Sequence, residues 1–136
     1  MKAKRINHVA IVVKDLDGAL KLFGELFGLK AEKIEDVPEQ GVRAALVPVG
    51  DTEIEFITPI NPDTGVARFL ESRGEGVHHI CFEVEDVDEA LSELESKGVN
   101  LIDKKGRKGL AGKVGFIHPK STKGVLIELA QVIKEG

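Results

Sequence analysis

Two histidines and two glutamates inside apolar stretches are the residues of this chain best suited to chemistry. His8 lies in INHVAIVV and His79 in VHHICFEV, whereas Glu55 and Glu128 are the central residues of IEF and IEL. Two imidazoles and two carboxylates suit a divalent Fe, Mn, Co, Ni or Zn ion, with positions left for water or substrate oxygens. Two simpler interpretations stay open, namely histidines that only pack within their strands and glutamates that face solvent.

An internal repeat relates these four residues. Residues 8–20, HVAIVVKDLDGAL, align with residues 79–91, HICFEVEDVDEAL, at a constant offset of 71, and IEF aligns with IEL at an offset of 73. We therefore predict a single domain, residues 1–136, made of two similar modules of about residues 4–60 and 75–132, with a connector of about residues 61–74. If the modules pair about a pseudo-twofold axis, the four side chains converge on one metal site.

Each module is predicted to be a βαβββ unit, which gives an α+β fold. The first strand of the unit holds the histidine and the last strand holds the glutamate. Asp15 and Asp86 are suited to cap the N-termini of the helices, and Gly28 and Gly98 are suited to end them. The connector is expected to contain a short helix. The remaining strands are predicted near residues 29–36, 42–50 and 52–59, and near residues 100–104, 113–119 and 124–131.

The adjacent histidines His78 and His79 are not expected to be two ligands of one metal ion. Successive side chains of a strand point to opposite faces, so one of the two reaches a given site. His79 has a counterpart in His8, whereas Asn7 occupies the position before His8. We therefore predict that His79 is the ligand and that His78 packs on the other face.

Composition and charge argue against several classes of function. Hydrophobic residues make up 42% of the chain and charged residues 31%, which suits a globular domain with a core. The net charge is −4 and no basic run occurs, so nucleic acid is not an expected partner. No stretch is long enough to span a membrane, and no secretory signal is recognised. The one cysteine, Cys81, is expected to be a buried thiol, and a cytoplasmic location is expected.

Paired βαβββ modules with this order of His, Glu, His and Glu resemble the vicinal oxygen chelate superfamily, also called the glyoxalase/bleomycin-resistance fold. Four stretches narrow the resemblance to the methylmalonyl-CoA epimerases. The stretches are PEQGVRAA (38–45), IEFITP (54–59), VARFLESRGEGVHHICFEVEDV (66–87) and HPKSTKGVLIEL (118–129). The resemblance covers nearly the whole chain and implies that the two modules pack as a mixed-sheet half-barrel.

The resemblance implies an isomerase of propionate metabolism that interconverts (2R)- and (2S)-methylmalonyl-CoA. Such an enzyme removes the α-proton and returns one to the opposite face through a metal-stabilised enolate. The implied metal ligands are His8, Glu55, His79 and Glu128, and the family has Gln or Glu at the Glu55 position. Glu39 of PEQGV is the implied acid/base, and Glu128 is the expected second one. The family favours Co²⁺, with Mn²⁺, Mg²⁺, Ni²⁺ and Zn²⁺ as alternatives, and implies a homodimer.

Other interpretations stay open at several of these positions. Glu39 lies between Pro38 and Gly41 and could be a solvated turn carboxylate. Lys120 is a candidate for binding the substrate carboxylate or the CoA phosphates, but it could equally be a plain loop lysine. Glyoxalase I and a ring-cleaving dioxygenase would share much of the ligand set, and a metal-free module that binds a small ligand is an alternative from another class.

Overall fold

The computed structural model describes residues 1–110 and 112–132. This part of the chain contains eight strands, three helices and a 3₁₀ turn over Pro119–Ser121. The elements are β1 (Arg5–Val12), α1 (Leu16–Phe27), β2 (Lys33–Val37), β3 (Val42–Val49), β4 (Thr52–Pro59), α2 (Gly65–Arg73), β5 (Gly76–Glu83), α3 (Val87–Ser96), β6 (Arg107–Gly109), β7 (Gly112–Ile117) and β8 (Ile127–Val132).

The chain divides into two compact units. The first unit is His8–His78, and the second unit combines Met1–Asn7 with the chain from His79 onward. The N-terminal residues belong to the second unit because the backbone N–H of Lys4 donates to the carbonyl of Glu83 at 2.8 Å. The N-terminal amine also forms an ion pair with Glu93 at 2.7 Å.

In the first unit, α1 covers one face of a mixed sheet. The strand order is β2-β3-β4-β1, in which β1 and β4 run parallel and the other neighbours run antiparallel. Asp15 caps α1 by accepting from the Gly18 N–H at 3.1 Å, and Gly28 ends it with φ 71°, as predicted. The Phe23 ring of α1 packs edge-on against Phe56 of β4, with the ring centroids 4.8 Å apart. Burial of these apolar side chains stabilises the unit.

The second unit repeats this arrangement with α3. The strand order is β5-β8-β7-β6, with β5 and β8 parallel. Asp86 caps α3 by accepting from the Glu89 N–H at 3.0 Å, and the helix ends at Ser96, two residues before Gly98. Leu91 of α3 is fully buried against Ile127 and Leu129 of β8. The predicted βαβββ order is therefore confirmed in both modules, and the predicted connector helix is confirmed as α2.

The prediction of a strand near residues 100–104 is wrong. Only Leu101 forms a bridge there, to Ile117, and the second strand of the second module is the short β6. The backbone N–H groups of Ile102 and Asp103 both donate to the Phe116 carbonyl, and the Asp103 carboxylate accepts from the Phe116 N–H at 2.8 Å. A regular ladder cannot form because a side chain replaces a backbone acceptor at this point.

No helix in residues 1–110 and 112–132 is long and apolar enough to cross a membrane.

Candidate metal centre

In the first unit, His8 and Glu55 form a buried pair on one face of the sheet. His8 lies in β1 and Glu55 in β4, which run parallel, and Glu55 aligns with Ala10. Glu55 therefore lies diagonally from His8 on the same face. The Nε2 atom of His8 is 3.6 Å from a carboxylate oxygen of Glu55, and the two residues are 3% and 6% exposed.

In the second unit, His79 and Glu128 form the equivalent pair. His79 lies in β5 and Glu128 in β8, and Glu128 aligns with Cys81, two residues after the histidine. The Nε2 atom of His79 is 3.0 Å from Oε1 of Glu128, and both residues are 3% exposed. The histidine thus precedes the glutamate's strand partner by two residues in both units, so the sequence repeat is also a repeat of geometry.

The burial of these four residues sets them apart from the other polar residues of the chain. Five polar or charged residues in the described part of the chain are buried, and four of them are His8, Glu55, His79 and Glu128. Burying a carboxylate costs several kcal/mol unless a cation or hydrogen-bond donors compensate it. Each unit thus supplies one imidazole nitrogen and one carboxylate oxygen, which are donor types that borderline divalent cations accept. The residues present therefore fit a divalent metal ion.

The packing of the second pair brings in an aromatic residue that sequence reasoning missed. Phe116 of β7 lies directly opposite Glu128, and its ring packs edge-on against the His79 ring at a centroid separation of 5.3 Å. Such packing restricts the rotation of the imidazole and holds Nε2 towards Glu128. Phe116 can be identified only from the antiparallel register of β7 with β8, because this register places it opposite Glu128. The register depends on tertiary structure, so the sequence does not reveal it.

His78 occupies the position that the strand alternation predicts. It is half-buried, and its ring packs edge-on against Phe69 of α2 with the centroids 4.9 Å apart. Cys81 is buried, as expected. His78 therefore packs against a helix, whereas the next residue along β5 forms the buried pair.

Glu39 lies apart from the His8–Glu55 pair. It is exposed in the turn between β2 and β3. Leu46, the strand partner of Glu55, is four residues beyond Val42 at the start of β3, which corresponds to about 13 Å along the strand. The turn itself is fixed, because the Gly41 carbonyl accepts from the Ile60 N–H at 2.9 Å and Gly41 packs directly on Thr64, the N-cap of α2.

Lys120 is exposed in the 3₁₀ turn between β7 and β8. Its backbone N–H donates to Nδ1 of His118 at 3.0 Å, which holds the turn closed. The following residues reach β8, where Glu128 is the second residue. The lysine therefore belongs to the loop that leads into the strand of Glu128.

Comparison with known proteins places the chain in a family. Residues 7–117 match the model of the glyoxalase/bleomycin resistance protein/dioxygenase superfamily. The human mitochondrial methylmalonyl-CoA epimerase is 37% identical over 129 residues, covering 93% of this chain and 73% of the relative. The ethylmalonyl-CoA/methylmalonyl-CoA epimerase of Cereibacter sphaeroides is 38% identical, covering 94% of this chain and 98% of the relative.

A solved structure gives the same result. A variant of the Streptomyces coelicolor methylmalonyl-CoA epimerase in complex with 2-nitronate-propionyl-CoA superposes with a TM-score of 0.91 at 33% identity, and 96% of each chain is covered. The chain therefore belongs to the glyoxalase/bleomycin resistance protein/dioxygenase superfamily, and the predicted fold is confirmed. The resemblance to methylmalonyl-CoA epimerases is confirmed as well, and the chain is an isomerase of the epimerase class.

Proposed function

We propose that the chain interconverts (2R)- and (2S)-methylmalonyl-CoA in a reaction that depends on a divalent metal ion. The observation that carries this proposal is the repeated buried pair, His8 with Glu55 and His79 with Glu128. Two carboxylates in apolar surroundings are costly for stability, and a bound cation would compensate them. The names of the relatives supply the substrate.

The residues that would hold the metal ion are His8, Glu55, His79 and Glu128. When bound, the ion supplies Lewis-acid stabilisation of the negative charge that develops on the substrate oxygens as the α-proton leaves. Co²⁺ is the proposed ion because the family resemblance favours it, and Mn²⁺, Mg²⁺, Ni²⁺ and Zn²⁺ are the alternatives to compare. Glu at position 55, in place of the Gln found in some family members, adds one negative charge to the ligand set.

Epimerisation requires one group to take the α-proton from one face and another to return a proton to the opposite face. We assign these roles to Glu39 and Glu128. Glu39 is exposed on a fixed turn and is open to a dissolved substrate. Glu128 lies 3.0 Å from the His79 Nε2 atom, and both residues are buried.

Replacement of each carboxylate by its amide tests these roles. Glu39→Gln should lower the rate of α-proton exchange in D₂O by about 10²- to 10⁴-fold while the metal content stays at the wild-type level. Glu128→Gln should lower both exchange and metal affinity. Glu32→Gln is the matched control, since Glu32 is an exposed carboxylate just before β2, and it should exchange at the wild-type rate. Wild-type exchange rates in both Glu39→Gln and Glu128→Gln would show that the assignment is wrong.

Assays with alternative substrates separate the proposed function from its rivals. Epimerisation of methylmalonyl-CoA should exceed turnover of methylglyoxal with glutathione and turnover of a catechol, the substrates of the two rival metal enzymes. Ethylmalonyl-CoA belongs in the same series because one relative is named for both thioesters. A protein that binds no metal ion and turns over none of these substrates would be a small-ligand-binding module.

Four finer predictions remain proposals. A homodimer and a role in propionate metabolism are supported by the family resemblance. A cytoplasmic location is supported by the sequence alone. Lys120 is proposed as a substrate contact because it is exposed in the loop before the Glu128 strand.

A further inference from the structure

Arg107, a residue of the glycine-rich stretch 106–112, lies on the same face of its sheet as the His79–Glu128 pair. Glu128 is directly opposite Phe116 on β7, so these two side chains share a face. Val114, two residues before Phe116, shares that face and is directly opposite Arg107 on β6. The strand register therefore places a guanidinium group on the face that carries a predicted metal ligand.

Two contacts hold the Arg107 guanidinium in position. Its Nε atom donates to Oδ1 of Asp103 at 3.2 Å, and its central carbon lies 5.5 Å from the centroid of the Phe116 ring. Asp103 is fixed in turn, because its other oxygen accepts from the Phe116 N–H at 2.8 Å. Within residues 1–110 and 112–132, these contacts use Nε and one face of the guanidinium group, and they leave the N–H donors of the two terminal nitrogens to a ligand.

The same contacts limit the distance between Arg107 and the His79–Glu128 pair. The Phe116 ring centroid is 5.5 Å from the guanidinium carbon and 5.3 Å from the centroid of the His79 ring, so these two groups are separated by at most about 11 Å. The Arg107 side chain is 40% exposed and lines a cleft of about 520 Å³ at the β6–β7 hairpin. An anion dissolved in water can therefore reach it.

We propose that Arg107 binds the free carboxylate of the malonyl group and so selects carboxylated acyl thioesters over simple ones. This inference rests on the proposed function, because it concerns the substrate of that site. A guanidinium fixed through Nε and one ring face presents a planar pair of N–H donors, which matches the two oxygens of a carboxylate. The Asp103 carboxylate balances part of the positive charge of Arg107 and holds its side chain in place. The arginine is therefore oriented before the substrate binds.

Binding of two thioesters that differ in this carboxylate tests the proposal. Metal-loaded wild-type protein should bind malonyl-CoA more tightly than propionyl-CoA, as measured by isothermal titration calorimetry. Arg107→Gln should weaken malonyl-CoA binding by about 10- to 100-fold, the loss expected for a charge-assisted hydrogen bond, and should change propionyl-CoA binding less than about twofold. Arg107→Lys keeps the positive charge but lacks the planar pair of N–H donors, so its affinity for malonyl-CoA should lie between those of the wild type and Arg107→Gln.

Lys97→Gln is the matched control, since Lys97 is an exposed cation just after α3 and does not line the cleft that contains Arg107. It should leave both affinities unchanged, and all variants should retain the wild-type metal content. Equal weakening of both thioesters by Arg107→Gln would place the arginine at the part of CoA that they share and would overturn the proposal. Unchanged affinity for both would overturn it too. If the wild type does not epimerise methylmalonyl-CoA, the proposed function fails and this inference fails with it. If the wild type is active, equal weakening of both thioesters or unchanged affinity for both contradicts only the assignment of Arg107.

Discussion

At the residue scale, burial separates the side chains with a proposed chemical role from similar residues on the surface. His79 is 3% exposed and lies 3.0 Å from Glu128, whereas its neighbour His78 is half-buried against Phe69. Both histidines belong to one strand, so alternation alone produces the difference. One residue of shift in the register of β5 would exchange their environments.

The adjacent histidines give a matched pair of variants. His79→Ala should abolish stabilisation by Co²⁺, because it removes a proposed ligand. His78→Ala should keep this stabilisation and should lose the contact with Phe69, about 1 kcal/mol in the free energy of unfolding. At a Co²⁺ concentration about 100-fold above Kd, the wild type and His78→Ala should each gain about 2.7 kcal/mol in urea unfolding. A comparable gain in His79→Ala would contradict its role as a ligand.

The sequence predicts the four buried residues because the repeat pairs them, but it predicts less at other positions. Glu39 is a candidate only through the family resemblance, whereas Lys120 is a candidate through its charge and its place in the loop before the Glu128 strand, and both are exposed. Arg107 was not selected, because its relation to Glu128 passes through two strand registers, β6 with β7 and β7 with β8. A stretch with three glycines in seven residues does not specify such a register by its hydrophobic pattern.

At the element scale, turns and helix caps determine where the chemical groups are presented. The capping residues Asp15 and Asp86 were predictable because a cap acts over three residues. The strand near residues 100–104 was predicted wrongly because its outcome depends on Asp103, whose carboxylate bonds to the backbone of Phe116, 13 residues away. A cap that acts within one turn can therefore be predicted from the sequence. A side-chain hydrogen bond to a backbone group far along the chain cannot.

Gly41 and Gly50 are two turn glycines that separate backbone strain from packing. Both have positive φ angles, 68° and 63°. An added Cβ at Gly41 would overlap Thr64, whereas no described atom lies within 4 Å of a Cβ added at Gly50. Gly50→Ala should lower the free energy of unfolding by about 1–2 kcal/mol, and Gly41→Ala should lower it by more. Urea unfolding measures both, and equal losses would show that the Thr64 contact does not constrain the turn that holds Glu39.

Asp88 should make the stability of the β6–β7 hairpin depend on pH. The hydrogen bond from Lys113, followed by that from the Gly106 N–H, lowers the pKa of the Asp88 carboxyl below its usual value. A carboxyl with a lowered pKa in the folded state stabilises the fold above its unfolded pKa, and this stabilisation is lost as the pH falls below about 4. Asp88→Asn should therefore lower Tm at pH 7 and reduce the fall in Tm between pH 5 and pH 3.

The control for Asp88 is Asp51→Asn. Asp51 is exposed in the turn between β3 and β4 and forms no ion pair with a residue of the described chain. Its replacement should leave the Tm profile close to that of the wild type. Parallel Tm profiles for Asp88→Asn and the wild type between pH 5 and pH 3 would contradict the contribution of Asp88.

At the scale of the whole molecule, the sequence repeat predicts the principal functional feature. Each unit carries a histidine two residues before the strand partner of its glutamate, and the two pairs are buried to a similar extent. The offset of 71 between the histidines was visible in the sequence. The buried environment of the pairs was not, because alternation in a strand does not say which of its two faces is covered.

The metal stoichiometry tests whether the two pairs act together. With four ligands for one ion, the wild type should bind one Co²⁺ per chain. His8→Ala in the first unit and His79→Ala in the second should each remove this binding almost completely. Calorimetric titration of the metal-free protein measures the number of sites. Two ions per wild-type chain, or one retained tightly bound ion in either variant, would show that each pair binds separately.

The central claim is that the chain epimerises methylmalonyl-CoA by metal-dependent exchange of its α-proton. Incubation of (2R)-methylmalonyl-CoA with the enzyme in D₂O, followed by NMR, measures deuterium at C2 and the appearance of the (2S) form together. The proposed function predicts that both occur with the metal-loaded protein, stop when a chelator removes the metal ion, and return when Co²⁺ is restored. Exchange and epimerisation that continue unchanged after complete metal removal, or the absence of both in the metal-loaded protein, would contradict it.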